Sequence, residues 1–184
     1  GTTKTSKNAI QVSYSGISEK DCSIVVMRRN TNKIRRSVYS EVKKACSRLG
    51  LLEKIDYKAT VSPFQIHFKD TGNNIFFTGV DSIDDVKGFV DENKPIKIVW
   101  IDELTEFFEK SVEEGEEMID NIEATFSRGN DDWFVMMFSF NPPRNPNHPI
   151  MQWYNKMKKR NDVSHTHTTY LDVPPEWLGK SFIR

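Results

Sequence analysis

The chain has 184 residues, and its 26 Lys and Arg balance 26 Asp and Glu to a formal net charge of zero. That balance excludes a protein that coats nucleic acid through a uniformly basic surface, although a local basic face remains open to it. With 37% hydrophobic and 28% charged residues the composition is globular rather than disordered, and no apolar run approaches the ~20 residues that span a membrane. The opening Gly1-Thr2-Thr3-Lys4-Thr5 has no apolar leader stretch. Cys22 and Cys46 are too few for a disulfide framework and read as reduced thiols.

A helix is expected over Thr5 to Ser13, followed by a β-branched strand from Ser23 to Arg29. Val38, Val42, Ala45 and Leu49 then form an amphipathic stripe that predicts a helix from Ser37 to Leu49, stopped by Gly50. Gln65 to Phe68 and Ile75 to Val80 flank the turn-forming Asp70-Thr71-Gly72-Asn73-Asn74 and read as a hairpin. Ile96 to Ile101 and Trp133 to Phe140 are near-continuous hydrophobic runs, which suit strands covered on both faces. Helices are expected at Glu116 to Phe126 and Ile150 to Arg160, and a last strand at His165 to Leu171. Without repeats or linkers this is one α/β domain, a mainly parallel sheet with helices on both faces.

The chemistry concentrates at two ends of this pattern. A phosphate-binding loop needs small residues whose backbone N–H groups curl around a phosphate, a Lys reaching the β/γ-phosphates and a hydroxyl for Mg²⁺. Lys4 and Thr5 supply the last two, at the start of a helix whose dipole favours anions. Asp102 and Glu103 end a buried strand, where α/β sheets bind ligands. There Asp102 suits Mg²⁺ and Glu103 suits polarising an attacking water. Phe138-Ser139-Phe140-Asn141 ends a second buried strand that Pro142 and Pro143 stop, which brings Ser139 or Asn141 to the same edge, placed to sense a γ-phosphate.

With these motifs in order, the chain resembles the N-terminal ATPase domain of the large subunit of tailed-phage terminase, a DNA-packaging motor. The resemblance rests on Gly1-Thr2-Thr3-Lys4-Thr5 as the end of a Walker A loop, and on Val26-Met27-Arg28-Arg29 with Ile34-Arg35-Arg36-Ser37-Val38. It continues through Trp100-Ile101-Asp102-Glu103 with Leu104, Glu106 and Phe107, then Ser139-Phe140-Asn141-Pro142-Pro143 and Thr168-Thr169-Tyr170-Leu171-Asp172.

It implies a P-loop NTPase fold of the additional-strand, catalytic-Glu type, with ATP and Mg²⁺ as cofactors. Gly1 to Thr5 and Asp102 would bind the nucleotide, with Thr5 and Asp102 on the metal. Glu103 would be the catalytic carboxylate, and Ser139, Phe140 and Asn141 would couple hydrolysis to movement. The implied partners are double-stranded DNA, the portal protein, the terminase small subunit and further copies in a ring on the procapsid, in the host bacterial cytoplasm.

Three departures stand out: Thr3 occupies the place of the second loop glycine; the strand before the loop, the adenine-contacting segment and the loop's own upstream Arg are missing; and the nuclease domain is absent. Residues 1–184 are therefore expected to be one ATPase domain cut from a longer protein that also carries an endonuclease, with 171–184 starting a linker toward it. A helicase-like NTPase and a non-hydrolysing prophage remnant stay open as alternatives.

Other features have plainer readings. Arg28, Arg29, Arg35 and Arg36 are candidates for phosphate contact, to ATP or to DNA, against simple solvated charge. Lys156, Lys158, Lys159 and Arg160 suit a helix C-terminus and also a DNA-facing patch. Glu113, Glu114, Glu116 and Glu117 read as a solvated loop and helix start, His165 and His167 as non-ligating, and Trp153 and Trp177 as packing residues.

Overall fold

The computed structural model describes residues 3–88, 93–130 and 132–168. Its strands are β1 (Ser23–Arg28), β2 (Tyr57–Val61), β3 (Phe64–Phe68), β4 (Asn74–Gly79), β5 (Ile96–Asp102) and β6 (Val135–Ser139). They form one sheet in the order β2-β3-β4-β1-β5-β6. The block β4-β1-β5-β6 is parallel, while β2 and β3 add antiparallel strands beyond β4. Every residue of β1 and β5 is buried, as expected for parallel strands covered on both faces.

Side-chain alternation along these strands creates two cores. Ile24, Val26, Ile98 and Trp100 face α1 (Thr3–Ser18) and α2 (Ser40–Arg48), packing on Ala9, Val12 and Val42. Val25, Met27, Val99 and Ile101 face the other way. They meet Leu104 and Phe107, Ile119 and Ile122 of α4 (Val112–Phe126), and Ile150 and Trp153 of α5 (Pro149–Met157). A β-carbon on Gly16 would lie 2.3 Å from the Phe68 ring, so α1 sits flush on the sheet only with glycine there.

Several boundaries differ from expectation for identifiable reasons. The predicted helix over 37–49 is split into a π-helical turn at Arg35–Tyr39, with non-helical dihedrals at Ser37, and then α2. Ser37 Oγ donates to Lys33 O at 2.6 Å, a side-chain bond that competes with the helical ladder. The acidic run lies inside α4, which starts at Val112 behind a Ser111 cap whose Oγ accepts from Glu114 N at 3.1 Å. The helix start is as expected, with Glu113 and Glu114 in the first turn where they complement the helix dipole, while no part of the run forms a loop. β2 and the short α3 (Ile83–Lys87) were not anticipated; β2 is a half-exposed edge strand with little hydrophobic signal.

The last strand expected at 165–171 is not formed over 165–168, and 169–171 lie outside the described residues, as do Trp177 and the linker expected at 171–184. A strand needs a partner. Among the described residues β6 pairs only with β5, and its other side opens onto a groove of about 590 Å³ that residues 163–168 also line.

Candidate active site

The period of two along β5 puts Ile98, Trp100 and Asp102 on the α1 face, and the register pairs Asp102 with Ser139 of β6. α1 begins above this point, so its first turn reaches the same strand ends. Thr5 Oγ1 donates to Asp102 Oδ1 at 3.3 Å, and Lys4 Nζ donates to Phe140 O at 3.3 Å. Residues far apart in sequence thus meet at the carboxyl ends of β5 and β6. Gly1 and Thr2 lie outside the described residues, and Thr3 opens α1.

Ser139 Oγ donates to Asp102 Oδ1 at 2.7 Å and accepts from Trp100 Nε1 at 2.9 Å. Indole N–H can only donate, so it commits the single hydroxyl proton of Ser139 to Asp102. Trp100 was missed by sequence reasoning as a polar participant. A Trp two residues before a strand-ending acid shares its face, and that was the available signal. Ser139→Ala is expected to leave the buried Trp100 N–H without an acceptor and to cost about 1–3 kcal/mol. Thermal melting of Ser139→Ala, Trp100→Phe and the double variant checks this: a double variant less damaged than the sum supports the pairing, and strict additivity contradicts it.

Asp102 is 3% exposed. Burial pushes its carboxyl up from the ordinary value, against the opposing pull of the Ser139 bond, the Arg28 charge and the Thr5 bond. Burial also raises Glu103, reinforced by the negative charges of Asp102 and Glu106 and opposed by Arg28 and Lys33. Glu103 adopts a left-handed backbone, φ 53° and ψ 50°, a conformation that costs a non-glycine residue about 1–3 kcal/mol. It turns the chain sharply off the sheet into the 3₁₀ turn Leu104–Phe107, which is anchored by fully buried Leu104 and Phe107.

The four arginines separate into two groups. Arg28 is buried, with Nη1 3.8 Å from Asp102 Oδ2 and Nη2 3.1 Å from Glu106 Oε1, and Arg29 Nη1 donates to Glu106 O at 2.6 Å. Both turn inward onto the site, whereas Arg35 and Arg36 are exposed. Asn141 is exposed, and its carbonyl accepts from Thr105 Oγ1 at 3.4 Å, which ties the end of β6 to the turn after Glu103. The His165 ring packs against Tyr154 at 6.2 Å, and Trp153 packs against Phe108 and Phe138. Cys22 and Cys46 are buried free thiols, each raised by burial to about 11.

The donor set at Thr5 and Asp102 is a hydroxyl and a carboxylate, oxygen ligands only. That fits Mg²⁺, which takes one or two protein oxygens and completes its shell with water and substrate phosphate. Among the described residues no group of three or more His, Cys, Asp or Glu could hold a metal by itself.

The sequence matches the family described as phage terminase large subunit over residues 1–184. The terminase large subunit of Bacillus phage SPP1 is 28% identical over 162 residues, covering 86% of this chain, and the chain spans only 36% of that relative's length. The large terminase of a thermophilic bacteriophage superposes with a TM-score of 0.66 at 18% identity, covering 97% of this chain and 40% of that one. The HK97 bacteriophage large terminase gives 0.58 at 14% identity over 86% and 31% of the two chains. For the N-terminal domain of the DNA packaging ATPase from bacteriophage phi29 the values are 0.55, 12%, 84% and 75%. The layered P-loop NTPase fold expected from the sequence is common to all three. With its full length matched and its fold shared, the chain belongs to the phage terminase large subunit family.

Proposed function

We propose that this chain is the ATP-hydrolysing domain of a DNA-packaging motor. The observation that carries the reading is the contact between Thr5 and Asp102, backed by Ser139: two distant motifs present oxygen ligands to one point at the mouth of a helix N-terminus. When bound, Mg²⁺ supplies neutralisation of phosphate charge. Thr5 and Asp102 would hold it. Lys4 contributes a point charge beside the phosphates, and Glu103 accepts a proton from the attacking water while orienting it in line with the γ-phosphorus. Ser139, Phe140 and Asn141 couple loss of that phosphate to movement.

The rest of the reading follows from family and coverage. The protein acts on double-stranded DNA, with the portal protein, the terminase small subunit and further copies of itself in a ring on the procapsid, in the host bacterial cytoplasm. An endonuclease occupies part of the length that this chain does not span. A strand from residues upstream of Gly1 fills the groove between β6 and residues 163–168 and completes the loop that Lys4 and Thr5 end. The groove's lining supports this, since it includes Met137 of β6 together with His165 and His167.

Phosphate release from ATP by the full-length protein tests the proposal. Mg²⁺-dependent release that EDTA abolishes is the expected result. No release with Mg²⁺, double-stranded DNA and procapsids all present would overturn it.

A further inference from the structure

Three cationic side chains from the end of β1 and the turn after it converge on Glu106, three residues beyond Glu103. Arg28 Nη2 and Lys33 Nζ bond its Oε1 at 3.1 and 2.8 Å, and Arg29 Nη1 bonds its backbone carbonyl at 2.6 Å. Arg28 simultaneously faces Asp102 Oδ2 at 3.8 Å. The guanidinium thus lies buried between the strand-ending acid and the turn that carries Glu103, flanking Asp102 on the oxygen that Thr5 and Ser139 leave to it.

The backbone explains why such a clamp is needed. A left-handed Glu103 persists only where the surroundings over-determine it. Glu106 N donates to Glu103 O at 3.0 Å, so whatever fixes Glu106 also fixes the strained residue. The clamp is not tuned for stability: Arg28 Nε and Glu106 Oε2 are buried without a hydrogen-bond partner. Buried ion pairs of this kind are weak evidence for stabilisation, so a role in geometry accounts better for their presence.

We infer that Arg28 and Glu106 are positioning residues for the catalytic pair, holding the Asp102 carboxylate and the Glu103 turn in the geometry that hydrolysis requires, with Lys33 as the outer arm of the clamp. Neither contacts the reacting atoms; both act through Asp102 and Glu103. This rests on the ATPase reading above.

The experiment compares steady-state ATP hydrolysis, labelled-nucleotide affinity and thermal melting for full-length wild type, Glu106→Gln, Arg28→Lys and Lys33→Ala. Glu106→Gln is expected to lower kcat about 10- to 100-fold, because displacing a catalytic group by about 1 Å costs on that order. The KM for ATP and the nucleotide affinity should stay within about threefold, since transition-state geometry and not ground-state binding is affected. Arg28→Lys keeps the charge but cannot reach two carboxylates at once, so it should not restore kcat.

A folded Glu106→Gln protein with wild-type kcat would overturn the inference, and so would equal losses in kcat and nucleotide affinity. If neither buried variant folds, Lys33→Ala decides. Lys33 is half-exposed and can be removed without opening the buried pair. It is expected to keep the wild-type melting temperature and lose about two- to fivefold in kcat, and an unchanged kcat would overturn the inference. A wild-type protein that hydrolyses no ATP would count instead against the ATPase assignment.

Discussion

Glu103→Gln in the full-length protein is expected to bind ATP as wild type does and to lose turnover by at least about 100-fold. Gln keeps the size and the hydrogen-bonding reach of Glu but cannot take a proton. Burial and the neighbouring charges of Asp102 and Glu106 raise the Glu103 carboxyl above its ordinary value, which brings a carboxylate base closer to working pH. The acid limb of the wild-type rate profile should therefore lie above the usual carboxylate range, since below the raised value Glu103 is protonated and cannot act. The same shift has a sign for stability. A carboxyl raised by folding contributes stability at low pH that is lost as pH rises through the raised value. Glu103→Gln should consequently melt higher than wild type near pH 7, with the difference shrinking as pH falls below the raised value. Phosphate release, nucleotide titration and melting across pH check each part, and turnover within a few-fold of wild type would remove Glu103 from the catalytic role.

Lys4→Ala is expected to weaken ATP binding about 10- to 100-fold, the scale of a lost hydrogen bond to a charged group. Lys4 Nζ rests on the Phe140 carbonyl at the end of β6, an acceptor that water can satisfy when the side chain is gone. Its removal should leave the melting temperature almost unchanged, unlike removal of Asp102 or Ser139, which are held in buried bonds. Titration with labelled nucleotide separates the outcomes: unchanged affinity would take Lys4 out of the phosphate site. Lys4→Arg is not a rescue, because a planar guanidinium does not reproduce a compact point charge in a loop shaped by backbone N–H groups.

The parallel strands were legible in the sequence because burial on both faces writes itself as an apolar run, as Ile96–Ile101 shows. β2 left little trace, since an edge strand is half exposed and needs few hydrophobic residues. Lys4, Thr5, Asp102, Glu103 and Ser139 stand out as candidates by residue type because phosphate and metal chemistry admits few side chains. Their mutual bonds could not, because those depend on register: only the pairing of Asp102 with Ser139 puts the hydroxyl on the carboxylate. The break at Ser37 escaped a reading by hydrophobic period for a related reason, since a local side-chain bond competes with the helical ladder just before the stripe begins at Val38. Arg28 reads in sequence as one of four equivalent cations, and only burial separates it from Arg35 and Arg36.

The Trp100–Ser139–Asp102 chain makes the two roles open to Ser139 mutually exclusive. A hydroxyl has one proton, and the indole behind it directs that proton at the carboxylate. While Asp102 holds the proton, Ser139 has none to offer a phosphate oxygen; to greet the phosphate it must let go of the acid. Under the roles proposed above, a sensor wired this way would report by exchange instead of by addition: a bond made to the nucleotide from this position would be a bond withdrawn from Asp102, the proposed metal ligand, and the orientation of that carboxylate would register the difference.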